Sequence, residues 1–276
     1  MNAKNLVPLF DWMEFLASKI TDRFKSKVSI FTETEHYVLK TAETAFDLEM
    51  VLKLRHEVFL KELQNKRNFF KIELDRLDLK CDHLLIIDKQ TEAVVGCYRL
   101  ISSHFIKNFY SENEFDLSRF LDRESDPKLE LGRACILPSH RNGMVIQLLW
   151  RGITAYMKKT DTRFLMGCSS VQTLDPAAIS ALIQKVEDEG LVDDQYFIRP
   201  TFKYHPLNHG VSVVPKNKID EASPIELPPL ILSYLKAGAK LAPFPAVDQD
   251  FNCIDFFTLL DRENMHPLFL RRYFGH

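Results

Sequence analysis

The sequence predicts an α/β fold, a mixed central sheet with a parallel pair in its middle and helices packed against it. Two observations lead there. Apolar runs of strand length come before and after a capped helix in the first half of the chain. A strand–helix–strand unit then spans residues 129–171, and a crossover helix of this kind joins parallel neighbours.

Near the N-terminus, Leu6, Phe10, Met13, Ala17, Ile20 and Phe24 recur at helical spacing, while Lys19, Arg23, Lys25 and Lys27 lie on the other side and just beyond its end. This segment reads either as a helix packed on its own domain or as a basic amphipathic helix resting on an anionic bilayer. Tyr37 to Lys40 is a short strand. Thr44, with Asp47 three residues on, caps a helix carrying Phe46, Met50, Leu54 and Val58 at every fourth position. His83–Ile87 and Ala93–Ile101 form an antiparallel hairpin across the polar turn 88–92. Residues 108–127 read as a loop with a short helix. Leu129–Ile136 is the next strand and leads through Pro138–Gly143 into a helix from Met144 to about Lys159. Phe164–Val171 is a further apolar strand. Asp175 and Pro176 open a helix that ends at Gly190, an N-cap with proline at the first helical position. The tail holds a proline-rich connection over 215–229, a helix ending at Gly238 and a last strand near Cys253–Leu260. With no polar linker in view, the expected organisation is an N-terminal amphipathic segment, 1–36, and a single domain with a C-terminal extension, 37–276.

The chain has 276 residues with a formal net charge of −2, so no basic balance points to nucleic acid. Its five cysteines are scattered without a C-x-x-C pair and read as reduced thiols, with neither a disulfide frame nor a zinc site. Neither a signal peptide nor a membrane-spanning run is present, which places the protein in the cytoplasm, with peripheral contact to the inner membrane left open.

The segment from Leu129 to Lys159 carries the first chemical signal. A helix N-terminus presents free N–H groups to phosphate, and Arg141, Asn142 and Gly143 sit at that turn. The glycine pattern of a P-loop or a dinucleotide fold is missing, and an ordinary βα turn has the same appearance. Glu130 and Arg133, three apart on the preceding strand, point to opposite faces unless a bulge intervenes. A carboxylate at such a position takes a proton from an attacking ammonium, or simply sits in an ion pair. Glu73, Asp75 and Asp78 form an acidic cluster that lacks calcium-loop spacing and its glycine. It is either a solvated turn or a group that folds back onto Arg55 and Arg133. The pair His205 and His209 has metal-like spacing but no third ligand, so no metal is expected. The tail from Phe269 to Phe274, with Arg271 and Arg272, either closes the core or touches lipid.

Several of these stretches together resemble a known family. They are Leu54-Arg55-x-x-Val58-Phe59, Asp75-x-x-Asp78, Cys81-Asp82-His83-Leu84-Leu85, Val95-Gly96-x-Tyr98-Arg99-Leu100 and Glu130-Leu131-Gly132-Arg133-Ala134-Cys135. Further along come Leu148-Leu149-Trp150-x-Gly152-Ile153, Gly167-Cys168-Ser169-Ser170, Leu235-x-x-Gly238-Ala239 and Asp248-x-x-Phe251-Asn252-x-x-Asp255. In this order, over about Tyr37 to Leu260, the sequence is similar to the L-ornithine N(alpha)-acyltransferases, also called ornithine–acyl-carrier-protein N-acyltransferases. These GNAT-like proteins, some named hemolysin-like, are distantly similar to acyl-homoserine-lactone synthases. The resemblance implies a GNAT-like sheet in which two parallel strands splay to admit an acyl-phosphopantetheine thioester. No bound cofactor is implied, and that thioester, on acyl carrier protein or on coenzyme A, is a co-substrate. It implies Glu130 as base with Arg133 beside it, and Arg55, Asp75, Asp78 and Asp255 around the amino-acid acceptor, with ornithine favoured. Arg141, Asn142, Gly143, Cys168 and Ser169 fall on the donor side, and no cysteine or serine needs to act as nucleophile. The turn after the strand has one glycine, fewer than coenzyme A enzymes usually present, which suits a carrier protein docking on Arg141, Arg151, Lys158 and Lys159. The product would be the lyso precursor of an ornithine lipid. Competing readings are a signal synthase, a coenzyme A-dependent acetyltransferase, and a carrier-protein or membrane binding module without chemistry.

Overall fold

The structure, a computed structural model, describes residues 21, 23–64, 71–209 and 226–275. The amphipathic stretch before Thr21 and most of the proline-rich connection lie outside them. In chain order the elements are β1 (Phe31–Glu33), β2 (Tyr37–Thr41), α1 (Ala45–Arg55), β3 (Asp82–Asp88) and β4 (Val94–Ser102). Then come β5 (Phe115–Asp116), α2 (Ser118–Arg123), β6 (Lys128–Ile136), α3 (Met144–Lys159), β7 (Phe164–Val171) and α4 (Pro176–Asp188). The last are β8 (Arg199–Pro200), α5 (Pro229–Ala237), β9 (Lys240–Leu241), β10 (Ala246–Asp248), β11 (Cys253–Asp261) and α6 (Pro267–Tyr273). Among the described residues, no helix is long and apolar enough to cross a membrane.

The described residues fall into two compact units that alternate along the chain. One is drawn from Met1–Ile106 and Leu131–Thr160, the other from Lys107–Glu130 and Asp161–His276. One of the crossings lies inside β6, so at that point the chain passes between units without any polar linker. The expectation of a single domain over 37–276 rests on that absence.

In the first unit β1, β2, β3 and β4 pair antiparallel in sequence order, and the later half of β6 lies beside β4. Alternation along β3 divides the core between two helices. Leu85, with Cys97 opposite it, faces α1, where Leu48, Val51 and Leu52 are fully buried. Leu84 faces α3, whose Gly152 brings the helix backbone against it. A Cβ on Gly152 would sit 3.0 Å from both Leu39 Cδ1 and Leu84 Cδ1.

The caps form where the sequence places them. Thr44 Oγ1 accepts from Asp47 N at 3.1 Å, and Asp47 Oδ2 accepts from Thr44 N at 3.1 Å, closing a capping box on α1. Of the four predicted apolar positions, Leu54 and Val58 are buried in the core and Met50 packs against it. Phe46 is 68% exposed. Steps of four residues drift by about 40° each on a 3.6-residue helix, so Phe46 and Val58 point in different directions. Leu48, Val51, Leu52 and Arg55 are buried as well, and the helix continues over His56–Leu63 with π-helical bonding.

In the second unit β6 pairs parallel with β7 through Lys128, Leu129 and Glu130, opposite Phe164, Leu165 and Met166. That ladder stops at Glu130, while β7 runs on to Val171 along antiparallel β11. β11 is also flanked by β10 and β9. α4 and α5 cover one face, with Ile179, Leu182, Val186 and Ile231 packed on Ile254 and Phe256. The C-terminal aromatic segment is helix α6, in which Phe274 after the last turn is buried and Leu268 is exposed.

Gly152→Val should be destabilising by about 1–3 kcal/mol, since the added methyls meet buried leucines with no room to move. A thermal melt reads this as a fall of about 2–4 °C per kcal/mol. An unchanged melt would mean that α3 does not seat on β2 and β3 as described.

Candidate active site

In the first unit the acidic cluster folds back onto arginines, the second of the two arrangements its spacing allows. α1 aims Arg55 inward, and the guanidinium grips Asp78 with both arms, Nη1 to Oδ1 at 2.7 Å and Nη2 to Oδ2 at 3.1 Å. Arg55 also donates to Glu73, and Arg99 of β4 donates to Asp75 and, at 3.3 Å, to Asp78. Arg133 completes the set with Glu73 at 3.1 Å and Asp75 at 3.3 Å. Arg55, Arg99 and Asp78 are fully buried. Burial pulls the Asp78 carboxyl upward, but the Arg55 charge and hydrogen bonds outweigh it and hold the group well below the usual carboxylate range. Burial drives neighbouring His83 down to about 4, so its ring is neutral at pH 7 and donates Nε2–H to the Asp78 carbonyl at 2.9 Å.

Arg133 reaches this cluster through a backbone irregularity. Its φ of +50° breaks the strand alternation of β6, so a spacing of three from Glu130 no longer fixes which face it takes. Asp75 and Asp78 are thus committed to arginines, which leaves their carboxylates little capacity for a cationic acceptor. Glu73 and Arg99 belong to the set as fully as the predicted members do. Arg99 stood in a resembling motif, and Glu73 in the acidic run.

The turn before α3 is built from local bonds. Gly143 caps the helix at φ +87°, a left-handed conformation that glycine adopts without cost, and a Cβ there would meet nothing within 4 Å. Asn142 Oδ1 accepts from Met144 N at 3.1 Å. Arg141 is engaged bidentately by Glu62 at 2.7 and 2.8 Å, and its Nε donates to the Ile136 carbonyl.

The second unit presents a different arrangement, and strand register explains it. Glu130 lies opposite Met166, Cys168 opposite Phe257, and Ser170 opposite Asp255. Asp248 lies opposite Cys253, two residues from Asp255 on β11. With a period of two, Glu130, Cys168, Ser170, Asp255 and Asp248 all share one face. The irregular segment 109–115 covers that face. Glu130 is 2% exposed and accepts from Tyr110 N at 2.7 Å, Ser111 N at 2.8 Å and the Ser111 hydroxyl. Cys168 Sγ lies 3.4 Å from Ser111 Oγ, and Phe115 packs on Phe257 with ring centroids 5.7 Å apart. Asp255 accepts from Ser170 Oγ at 2.5 Å and from the Cys253 thiol at 3.6 Å. Asp248 Oδ1 accepts from the backbone of Asp250 and Phe251, which holds the β10–β11 turn.

Glu114 completes this face, and nothing in its local sequence marks it. It is 1% exposed, and its Oε2 has no hydrogen-bond partner. One oxygen each from Glu114, Asp248 and Asp255 lie within 4.8 Å of one another. Burial first, then the Asp255 charge, pushes the Glu114 carboxyl up to about 8. Burial likewise raises the Cys168 thiol well above its ordinary value, so it is a packed thiol and not a thiolate nucleophile. Ser169 is buried on the opposite face and accepts from Thr258 Oγ1 at 2.7 Å. His205 and His209 do not converge on a metal: His209 Nε2 donates to the Lys203 carbonyl at 2.7 Å, and His205 Nδ1 accepts from Leu207 N.

The family profile of the acetyltransferase (GNAT) domain matches residues 54–151. Those residues carry a GNAT-type acyltransferase domain. The protein is an N-acyltransferase, and two curated relatives extend the likeness along most of its length. L-ornithine N(alpha)-acyltransferase of Brucella abortus (strain 2308) is 27% identical over 250 residues, 85% of this chain and 88% of that protein. The protein of the same name from Agrobacterium fabrum is 28% identical over 255 residues, 86% of this chain and 84% of that one. Among solved structures, a CoA-dependent acyl-homoserine lactone synthase aligns at 15% identity and TM-score 0.43, covering 82% of this chain and 81% of that one.

The charge arrangement leads to two expected outcomes. Asp78→Asn leaves Arg55 and Arg99 buried without their shared carboxylate and should cost about 3–5 kcal/mol in a denaturant titration. A loss below about 1 kcal/mol would mean that the cluster is solvated. For Glu114 the sign runs the other way from an ordinary ion-paired carboxylate. Its folded pKa lies above the unfolded value of 4.5, so the native state holds a proton that the unfolded state releases, and stability declines as pH rises from about 4.5 to about 8. Glu114→Gln should therefore gain on the parent protein between pH 5 and pH 8, and a stability difference independent of pH would contradict the assignment.

Proposed function

We propose that this acyltransferase moves a long acyl chain from a phosphopantetheine thioester to the α-amine of an amino acid, with ornithine as the leading acceptor. The observation that carries the reading is the similarity to L-ornithine N(alpha)-acyltransferases over about 85% of the chain. The carboxylate-lined face of the second unit agrees with a cationic acceptor. The amine, once neutral, attacks the thioester carbonyl. A C–N bond forms, the C–S bond breaks, and the thiol leaves with the proton.

In this reading Glu130 takes the proton from the acceptor ammonium. Its three donors, Tyr110 N, Ser111 N and the Ser111 hydroxyl, fix the direction in which the carboxylate points. The thioester lies along β7 beyond Met166, where the ladder with β6 has ended and backbone N–H groups can meet the developing oxyanion. Cys168 lines that edge. Asp255 serves the acceptor, while Arg55, Asp75, Asp78 and Arg133 hold their unit in shape. Arg141, Asn142 and Gly143 receive the donor phosphate at the start of α3. The single glycine at that turn and the exposed Arg151, Lys158 and Lys159 favour an acidic carrier protein over coenzyme A. The product, the lyso precursor of an ornithine lipid, partitions into membrane, which suits a cytoplasmic enzyme working at the inner leaflet.

Mass spectrometry of lipids from cells overproducing the chain should find a new acyl-ornithine that is absent with Glu130→Gln. In vitro, that variant should lose about a hundredfold or more in turnover while its donor KM holds. A thermal melt close to the parent's confirms that it folds. A parent chain giving no acyl-amino acid with either acyl carrier protein or acyl-coenzyme A as donor would sink the proposal.

A further inference from the structure

The face described in the second unit holds more negative charge than the transfer reaction needs. Glu130 has three donors of its own. Asp255 and Asp248 each have donors, yet both carboxylates stay turned toward Glu114 across less than 4.8 Å. Such a grouping is costly in a low-dielectric interior unless something cationic enters it. Glu114 supplies the second observation. Its backbone is fixed on both sides, with the amide donating to Ser111 O at 3.1 Å and the carbonyl accepting from Thr201 N at 2.8 Å. The side chain is thereby held over the sheet face with one oxygen within 4.8 Å of both aspartates; Cys168 is a hydrogen-bond partner of the carboxylate, and Oε2 has none. An orphaned acceptor that deep in the fold is a place kept for a donor.

We infer that Glu114, Asp248 and Asp255 form the subsite that grips the side-chain ammonium of a dibasic amino-acid acceptor. An alkylammonium carries three N–H donors, and bonds of about 2.8 Å to three oxygens spread those oxygens roughly 4.6 Å apart, within the limit seen here. The charge balance also fits, since a cation entering the site displaces the proton that Glu114 otherwise holds. The titratable groups facing Glu114 are Asp255 of β11, Asp248 of β10, Glu130 of β6, Cys168 of β7 and Tyr204. Solvent is near, because Ser170, the hydroxyl donor to Asp255, is exposed. The inference rests on the acyl-transfer reading and deepens it: specificity for the acceptor would lie in the side-chain ammonium, which in ornithine is separated by four carbons from the amine that reacts. A neutral analogue of the same length brings no donor to Glu114 Oε2 and no charge to the two aspartates, the situation in which polar sites discriminate most strongly.

The test is calorimetric titration of the full chain with L-ornithine, L-norvaline (the same skeleton without the side-chain amine) and calcium chloride. It is repeated for Glu114→Gln and Asp248→Asn, the latter keeping the oxygen that holds the β10–β11 turn. The parent should prefer ornithine to norvaline at least tenfold, and each variant should reduce that ratio at least tenfold. At pH 7, titrations in buffers of different ionisation enthalpy should find proton release on ornithine binding to the parent and none to Glu114→Gln. Equal binding of the two amino acids, an undiminished ratio in both variants, or tight calcium binding that ornithine does not displace would overturn the inference. A parallel assay with acyl donor separates the two claims. Transfer to ornithine without discrimination removes the subsite alone, whereas discrimination in binding without any transfer removes the reaction alone.

Discussion

Everything in the first unit turns on how Asp78 is neutralised. Taking a carboxylate out of water costs several kcal/mol even after relaxation, and a bidentate guanidinium is among the few partners that offset this. Arg55 provides that partner, but it is itself fully buried and needs Glu73 as well, which in turn calls for Arg133. Arg99 and Asp75 close the set, so three arginines face three acids. Such a network tolerates little movement: α1, the turn at 73–78, β4 and β6 each contribute a member, and displacement of any one leaves a charge unpaired in the interior. The left-handed backbone at Arg133 is the local concession that lets β6 deliver its member.

The second unit treats buried charge in the opposite way. Four carboxylates gather on one sheet face beneath residues 109–115, balanced chiefly by hydroxyl, thiol and backbone donors. A structural network and a recognition surface are thus told apart by their balance: one is satisfied within the fold, and the other is completed from outside it.

Much of the architecture was legible in the sequence because it is set by local chemistry. The Thr44 capping box, the Asp175-Pro176 helix start, the left-handed Gly143 and Gly238, and strands β3, β4, β6 and β7 all come from short-range rules. Of the apolar positions predicted at every fourth residue, Phe46 alone falls outside the core, because steps of four drift around the helix and leave the first position off the buried face. Asp255 was visible only through family resemblance, whereas Glu130 already stood out as a carboxylate on the strand before α3. Glu114 was invisible, since it sits in an irregular segment whose direction is decided by pairing of β5 with β8 and by a hydrogen bond from Thr201. The fate of Asp75 and Asp78 was open for a related reason: sequence offered two arrangements, and only the long-range meeting with Arg99 and Arg133 distinguishes them.

The alternation of the two units along the chain bears on how the molecule is made. On the ribosome, the first unit cannot close when residue 106 emerges, because its sheet still lacks the later half of β6 and its core still lacks α3. Residues 107–130 must wait in turn for β7 and β11 before their carboxylates have a surface to lie on. Synthesis therefore runs through a period in which the apolar faces of β3 and β4 have no helix over the Leu84 side, a state prone to wrong association. Only when residue 160 has left the exit tunnel does the first unit hold all its parts, so early truncations of this chain leave neither unit whole.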